Sequence, residues 1–283
     1  MTRAGDATPV AAGHARPPFG AWTLRAAAFS YLTLFLLAPL LIIVEDGLKD
    51  GLVALWQSVS QPVAWSSLVL TLWTAAIMAV INAVMGTLTA YALVRYEFPG
   101  RRLLDALVDL PLAIPTLVTG VMLVALLGPQ TALGAIFKKA GTPVIFAAPG
   151  IVIALLFLTF PLIVRSVQPV LHELERAPEE AAATLGAGGF TIFRRITLPA
   201  IAGPLAMGTL LSFARAIGEF GSIVIVAGNI PLRTQTAAVY VLGEVESDNR
   251  RGASAMSLVL LAITFVLFLA IDWVQRRSRR GAA

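Results

Sequence analysis

The residues that could do chemistry in this chain form two pairs, each spaced four residues apart. Asp105 and Asp109 are one such pair, and Arg215 and Glu219 are the other. Residues four apart share a helix face, so the two carboxylates could perform acid–base catalysis or bind a metal ion. The arginine and glutamate could form an ion pair or offer positive potential to an anion. Charge pairing is therefore the first chemistry that the sequence suggests.

Most groups that enzyme mechanisms require are missing. The chain has no cysteine, which excludes disulfides, thiolate catalysis and cysteine-based metal sites. His14 and His172 have no G-x-S-x-G motif to accompany them, so neither an intramembrane hydrolase nor a metalloprotease fits. Lys49, Lys138 and Lys139 are the only lysines, and none follows a glycine as a P-loop requires. We expect no catalytic residue, no metal site and no cofactor in this chain.

The composition indicates a protein whose solvent is lipid. Hydrophobic residues make up 58% of the chain, charged residues 13%, and the mean hydropathy is +0.83. One bilayer crossing takes about 20 apolar residues, and the long apolar runs do not alternate as barrel strands would. We predict an all-α membrane protein with six transmembrane helices. The predicted spans are residues 24–44, 65–93, 107–127, 144–164, 200–227 and 257–274.

The distribution of lysine and arginine predicts the orientation. With the N-terminus inside, fourteen basic residues fall in the inner segments and six in the outer ones, while Arg215 lies within a span. Basic residues concentrate on the cytoplasmic side of membrane proteins. We therefore predict that residues 1–23 and 276–283 are cytoplasmic tails flanking a membrane domain at 24–275. The same rule explains the net charge of +5 without nucleic-acid binding.

A polar segment separates the fourth and fifth predicted spans. It reads ELERAPEEAAATLGAGGFTIFRRITLPAIAGP, and its charges cannot cross lipid. Pro178 suits a first helical turn, the glycine-rich 186–189 permits a tight reversal, and Leu198-Pro199 ends a second amphipathic helix. Such a helix-turn-helix at 171–199 could lie on lipid, pack against its own bundle, or enter a groove of a cytoplasmic partner.

The same segment resembles the EAA signature of permeases in bacterial ABC importers. The positions that match it are Glu180, Ala181, Ala182, Gly186, Ile196, Leu198 and Pro199. The resemblance implies that these residues form a coupling helix that docks into a cleft of an ATPase subunit. It also implies that ATP and Mg²⁺ are bound and used by that partner, and not by this chain.

Longer runs are similar to the sulfate/thiosulfate permeases. These runs are RYEFPGRRLLDALVDLPLAIPTLVTG, FPLIVRSVQPVL and SFARAIGEFGSIVIVAGNIP, and the CysT (CysU) type fits better than the CysW type. The resemblance implies an inner-membrane permease subunit that translocates sulfate and thiosulfate. Molybdate permeases share the EAA loop and an R-x-x-GEFG run, so a molybdate or tungstate permease is the alternative. A secondary transporter driven by an ion gradient is the alternative from another class.

The resemblance also implies a set of partners. A second, CysW-like permease would share the translocation path, and two CysA-like ATPase subunits would dock below. A periplasmic sulfate/thiosulfate-binding protein would dock above, on the loops at 45–64, 128–143 and 228–253.

The charges within the predicted spans have two interpretations. Arg215 and Glu219 either form an ion pair that fixes helix packing or line the route of a passing dianion. We expect Asp105 and Asp109 to cap a helix start, Arg165 to be an interfacial anchor, and a separate residue, Asn82, to make a helix–helix hydrogen bond.

Overall fold

A computed structural model describes residues 19–281, and every regular element between them is a helix. The predicted tail at 1–23 falls largely outside the described residues, as do residues 282 and 283. The helices are α1 (Phe19–Leu32), α2 (Ala38–Leu48), α3 (Gly51–Val59), α4 (Pro62–Arg95), α5 (Arg101–Ala113), α6 (Thr116–Leu127), α7 (Ala132–Lys139), α8 (Ala148–Glu173), α9 (Ala177–Thr184), α10 (Gly189–Ile192), α11 (Leu198–Ile217), α12 (Gly221–Ala227), α13 (Ala237–Glu246) and α14 (Arg250–Gly281), with π-helical turns at Thr33–Leu37 and Phe193–Thr197.

The chain forms two structural units, one ending at Asp46 and the other beginning at Gly47. In the first unit, α1 and α2 join through the π-helical turn into an apolar helix, Trp22–Leu48, that runs just past the boundary. The predicted span at 24–44 lies inside it. An 18-residue window of this 27-residue helix has a mean hydropathy of 2.4, which is what a lipid-embedded helix requires.

Three long helices, α4, α8 and α11, pack against one another at the centre of the second unit. Their contact is close because small residues face large ones: a side chain at Gly86 would place its Cβ 2.8 Å from Ile163 Cγ2. The predicted hydrogen bond of Asn82 is confirmed, since its amide donates to Thr159 Oγ1 at 2.9 Å and to the Leu156 carbonyl at 3.1 Å.

The third predicted span is not one straight helix. α5 and α6 meet at an angle of 113° across Ile114 and Pro115. A proline disfavours helical geometry in the residue before it, and Ile114 is accordingly extended, with ψ of 129°. Among the described residues, five helices are long and apolar enough to cross a membrane, and a sixth span exists only if this bent pair is counted as one.

The prediction of a continuous fifth span at 200–227 is also wrong. α11 ends at Ile217, Gly218–Phe220 interrupts the helix, and α12 begins at Gly221. The other spans are displaced or longer than predicted: 144–164 corresponds to Ala148–Glu173, and 257–274 lies within Arg250–Gly281. An apolar run shows where lipid is tolerated but does not reveal a break inside it.

The short helices that follow the two breaks, α6 and α12, pack tightly together. A Cβ on Gly120 would lie 2.9 Å from both the Ser222 carbonyl oxygen and Ile225 Cβ, and one on Gly221 would collide with Thr116 Oγ1. Both glycines therefore permit an approach that any larger residue would prevent. The broken third and fifth spans thus meet through their second halves.

Candidate functional site

The helix-turn-helix predicted from the EAA segment is present as α9, a loop at 185–188 and α10. Gly186 has φ of +83°, its N–H donates to the Ala183 carbonyl, and the N–H of Ala187 donates to the Ala182 carbonyl. This pattern is a Schellman motif, in which a glycine in left-handed geometry ends the helix. Gly186 is therefore required by the shape of the turn.

Several signature positions lie on the surface of this segment. Glu180, Ala181 and Gly186 are exposed. Two apolar side chains beside them are exposed as well, Leu185 to 88% and Phe190 to 76%. Apolar side chains this exposed at a turn, next to charged residues, are typical of a surface that a partner covers.

The residue that holds this segment to the bundle is Glu179, which sequence reasoning did not single out. Its Oε1 accepts hydrogen bonds from Arg95 Nη2 at 3.1 Å and from Thr197 Oγ1 at 2.8 Å. The Arg95 and Glu179 side chains are only 8% and 13% exposed, and Arg95 also donates to the Leu174 carbonyl at 3.3 Å. Glu179 thereby ties α9 to the end of α4 and to the start of α11.

Glu179 and Glu180 have opposite environments because neighbours on a helix point about 100° apart. The only signal that could have separated them is this helical phase. The partner of Glu179 lies 84 residues earlier in the chain, so no local pattern reveals it.

The prediction that Leu198-Pro199 ends the second amphipathic helix is wrong. The helix continues from Gly189 to Ile217 through the π-helical turn Phe193–Thr197. The Leu198 N–H bonds the carbonyl of Phe193, five residues back. Pro199 has no N–H to donate, and the wider turn just before it is where the normal helical bonding is interrupted. The helix-turn-helix at 171–199 is therefore joined to the fifth span without a loop.

The structure brings Arg215 and Glu219 together at the break of the fifth span. Arg215 Nη1 donates to Glu219 Oε2 at 2.7 Å, while Glu219 Oε1 accepts from the Ser222 N–H and hydroxyl, both at 3.0 Å. The Glu219 side chain is 2% exposed and the Arg215 side chain 42%. Among the described residues Arg215 makes no other hydrogen bond, so several guanidinium N–H groups are free for a further acceptor.

Asp105 and Asp109 do not cap a helix start, contrary to the prediction. Both carboxylates accept hydrogen bonds from Arg165 of α8: Nη1 lies 2.7 Å from Asp105 Oδ1, and Nη2 lies 2.6 Å from Asp109 Oδ2. Arg165 is therefore a link between α5 and α8 and not simply an interfacial anchor. Within the described residues no group of three His, Cys, Asp or Glu side chains could hold a metal ion.

The sequence model of one family, described as "Binding-protein-dependent transport system inner membrane component", matches residues 82–281. The chain belongs to this family. The matched residues include the helix-turn-helix at 171–199, Arg95 with Glu179, and Arg215 with Glu219.

Curated relatives of this inner membrane component are similar along almost its whole length. A "Probable sulfate transport system permease protein cysT" from Nephroselmis olivacea is 40% identical over 260 residues, which cover 92% of this chain and 90% of the relative. A "Sulfate transport system permease protein CysT" from Synechocystis sp. is 40% identical over 252 residues, covering 89% of this chain and 88% of the relative.

Solved structures support the same fold. One chain of a bacterial alginate ABC transporter, crystallised with an alginate pentasaccharide-bound periplasmic protein, superposes with a TM-score of 0.74. The alignment covers 91% of this chain and 94% of that one at 16% identity. The inner membrane component therefore has the fold of an ABC-transporter membrane subunit.

Proposed function

We propose that this chain is the membrane-spanning permease subunit of an ATP-driven importer that carries sulfate and thiosulfate into the cytoplasm. The observation that carries the proposal is its similarity, over about nine-tenths of its length, to proteins named as sulfate transport permeases. The subunit would lie in the bacterial inner membrane with both termini in the cytoplasm, because the basic residues concentrate in the corresponding segments.

The helix-turn-helix at 171–199, which we call the coupling segment, would move when the ATPase hydrolyses ATP. The exposed Glu180, Leu185 and Phe190 would enter a cleft of the ATPase, and the apolar side chains would lose their water on docking. ATP and Mg²⁺ would be bound by that ATPase, since the sequence of this chain has no P-loop lysine.

The assembled importer would contain this chain, a second permease, two ATPase subunits and a periplasmic anion-binding protein. Closure of the ATPases would move the coupling segments. The helices of the permeases would then move as rigid bodies, and the translocation path would change from inward-open to outward-open. ATP can drive this change only because the nucleotide-bound ATPases have a higher affinity for one bundle conformation than for the other.

Arg215 would contact the anion during translocation. Its guanidinium is half exposed and retains unused donors, while the buried Glu219 fixes its position. The glutamate also cancels the net charge of the pair, which weakens the hold on a dianion. A weak site suits a transporter, because an anion that binds too tightly at one point of the path is released slowly.

Reconstitution of the complete importer in liposomes tests this function. We expect labelled sulfate uptake that requires ATP and all subunits, together with ATPase activity that sulfate and its binding protein stimulate. Glu180→Ala should abolish ATPase attachment, and Glu175→Ala, an exposed acid of the same segment, should not. Uptake driven by an ion gradient without ATPase subunits would contradict the proposed ATP-driven transport. A preference for molybdate would contradict the proposal that the transported anion is sulfate.

A further inference from the structure

A polar cavity lies between the first turn of α5 and the last turns of α8, apart from the ion pair of the fifth span. Its volume is about 330 Å³. It is lined by Leu93, Arg101, Arg102, Asp105, Gln168 and His172. The cavity is at the end of α8 that leads into the coupling segment, which we place in the cytoplasm.

The basic groups of this cavity have no partners in the described part of the chain. The side chains of Arg101, Arg102 and His172 make no hydrogen bond there, and none of them forms an ion pair. The carboxylate of Asp105 is already engaged, because it accepts from Arg165 Nη1 at 2.7 Å and from Gln168 Nε2 at 3.2 Å. The lining therefore presents unused positive charge and donors, while its one acidic side chain shares the charge of Arg165, which lies outside the lining, with Asp109.

The backbone adds to this preference for an anion. Arg101 is the first residue of α5, a helix of 13 residues, and its N-cap Gly100 supplies no side-chain acceptor. The Arg101 N–H donates to the Phe98 carbonyl at 3.3 Å, but the N–H groups of Arg102 and Leu103 remain available to an external acceptor, and the helix dipole favours negative charge there. Guanidinium groups match the geometry of oxygen atoms on sulfate or phosphate.

We propose that this cavity binds a tetrahedral oxoanion at the cytoplasmic end of the bundle. The occupant is either a free sulfate or phosphate ion or the phosphate group of an anionic lipid, since both present the same oxygen atoms. Its binding bridges α5 to the end of α8, directly before α9. The site is separate from the translocation path and does not depend on which anion the importer carries.

Binding measurements on the full-length chain in nanodiscs test this proposal. In discs of phosphatidylcholine alone, calorimetric titration with sodium sulfate or phosphate, against sodium chloride of equal ionic strength, should show saturable binding. Arg101→Gln should weaken it about tenfold or more, because a charge-assisted hydrogen bond is lost. Arg194→Gln, an exposed arginine outside the cavity, should leave binding unchanged.

A second set of discs, containing phosphatidylglycerol, distinguishes the two sources. If the occupant is a lipid, native mass spectrometry should show phosphatidylglycerol retained by the wild type and lost from the Arg101→Gln protein. Added sulfate should then bind less well than in phosphatidylcholine. If the occupant is a free ion, sulfate binding should be equal in both kinds of disc.

Three further variants keep the result interpretable. Arg101→Lys retains the charge without the planar donor pair and should bind with intermediate affinity, and Arg102→Gln serves if Arg101→Gln fails to fold. Arg215→Gln should leave this binding intact, which separates the cavity from the proposed translocation path. The proposal is overturned if neither ion nor lipid binds saturably, or if Arg101→Gln and Arg194→Gln behave alike.

Discussion

One arginine–glutamate pair joins the coupling segment to the end of α4 and another lies at the break of the fifth span, but the two pairs are buried differently. Arg95 and Glu179 are both almost fully enclosed, and the glutamate also accepts from the buried Thr197. At the break, Glu219 is enclosed while Arg215 is nearly half exposed.

This difference indicates two kinds of task. An enclosed pair with its charges matched can fix one element to another but has nothing to offer a ligand. A pair with a buried carboxylate and an exposed guanidinium leaves an oriented cation at the surface. We therefore interpret Arg95 and Glu179 as an anchor for the coupling segment and Arg215 as a contact for the anion.

The largest effect should come from breaking the enclosed pair. Glu179→Ala leaves the Arg95 guanidinium buried without its counter-charge, and removal of one member of a buried pair destabilises a protein by about 3–5 kcal/mol. We expect a lower melting temperature of the isolated chain and loss of ATPase co-purification. Melting is measured by intrinsic fluorescence in detergent.

Glu180→Ala is the matched control, because Glu180 neighbours Glu179 but is exposed. It should lose the ATPase while the melting temperature of the isolated chain stays unchanged. If both alanine variants melt at the same temperature as the wild type, Glu179 is not an anchor.

The next largest effect should come from Arg215→Gln. Glu219 keeps its two hydrogen bonds from Ser222, so the break should persist. Loss of a charged hydrogen-bond donor, worth about 1.5–3 kcal/mol, should reduce sulfate uptake by the reconstituted importer about tenfold or more. Basal ATPase activity, measured in parallel, should remain.

Arg215→Lys sharpens this test, since a lysine keeps the charge without the planar donors and should give intermediate uptake. Normal uptake by the glutamine variant would instead favour a role in helix packing alone.

A smaller effect should follow from changes at the turn of the coupling segment. Nothing lies within 4 Å of a Cβ built on Gly186, so its positive φ is the only obstacle to a side chain there. Gly186→Ala should cost about 1–2 kcal/mol for the left-handed geometry, and Gly186→Asn should cost less. ATPase affinity, measured by surface plasmon resonance, should fall in the same order.

Gly188→Ala provides the comparison within the same loop, because Gly188 has φ of −71° and is equally unobstructed. An equal loss in the Gly188 and Gly186 alanine variants would show that bulk, and not backbone geometry, impairs docking.

The smallest effect should come from a neutral buried contact away from both pairs. Asn82→Ala removes the hydrogen bonds to Thr159 and Leu156, and such bonds in membranes contribute about 0.6 kcal/mol on average. A double-mutant cycle with Thr159→Val, read by denaturant unfolding in detergent, should return a coupling energy of that size. A coupling energy as large as that of Arg95 and Glu179 would show that charged and neutral contacts do not differ in strength here.

The sequence predicted the helical class and the helix-turn-helix because apolar runs and glycine positions are local signals. The predicted fifth span runs through the break at Gly218–Phe220 because α11 and α12 are both largely apolar, and a continuous span and a broken one then have similar composition. The partners of Arg165 lie 56 and 60 residues away, and that of Glu179 lies 84 residues away. Such contacts depend on how helices pack, which spacing within one segment does not record.

The unbroken helix from Gly189 to Ile217 has a mechanical consequence. Its 29 residues form a lever about 43 Å long at a rise of about 1.5 Å per residue. Because Glu179 fixes α9 close to one end of this helix, a tilt of about 5° about that end would displace Arg215, about 39 Å along the helix, by about 3 Å. A small movement at the end near α9 would thus become a displacement of about one hydrogen-bond length at Arg215.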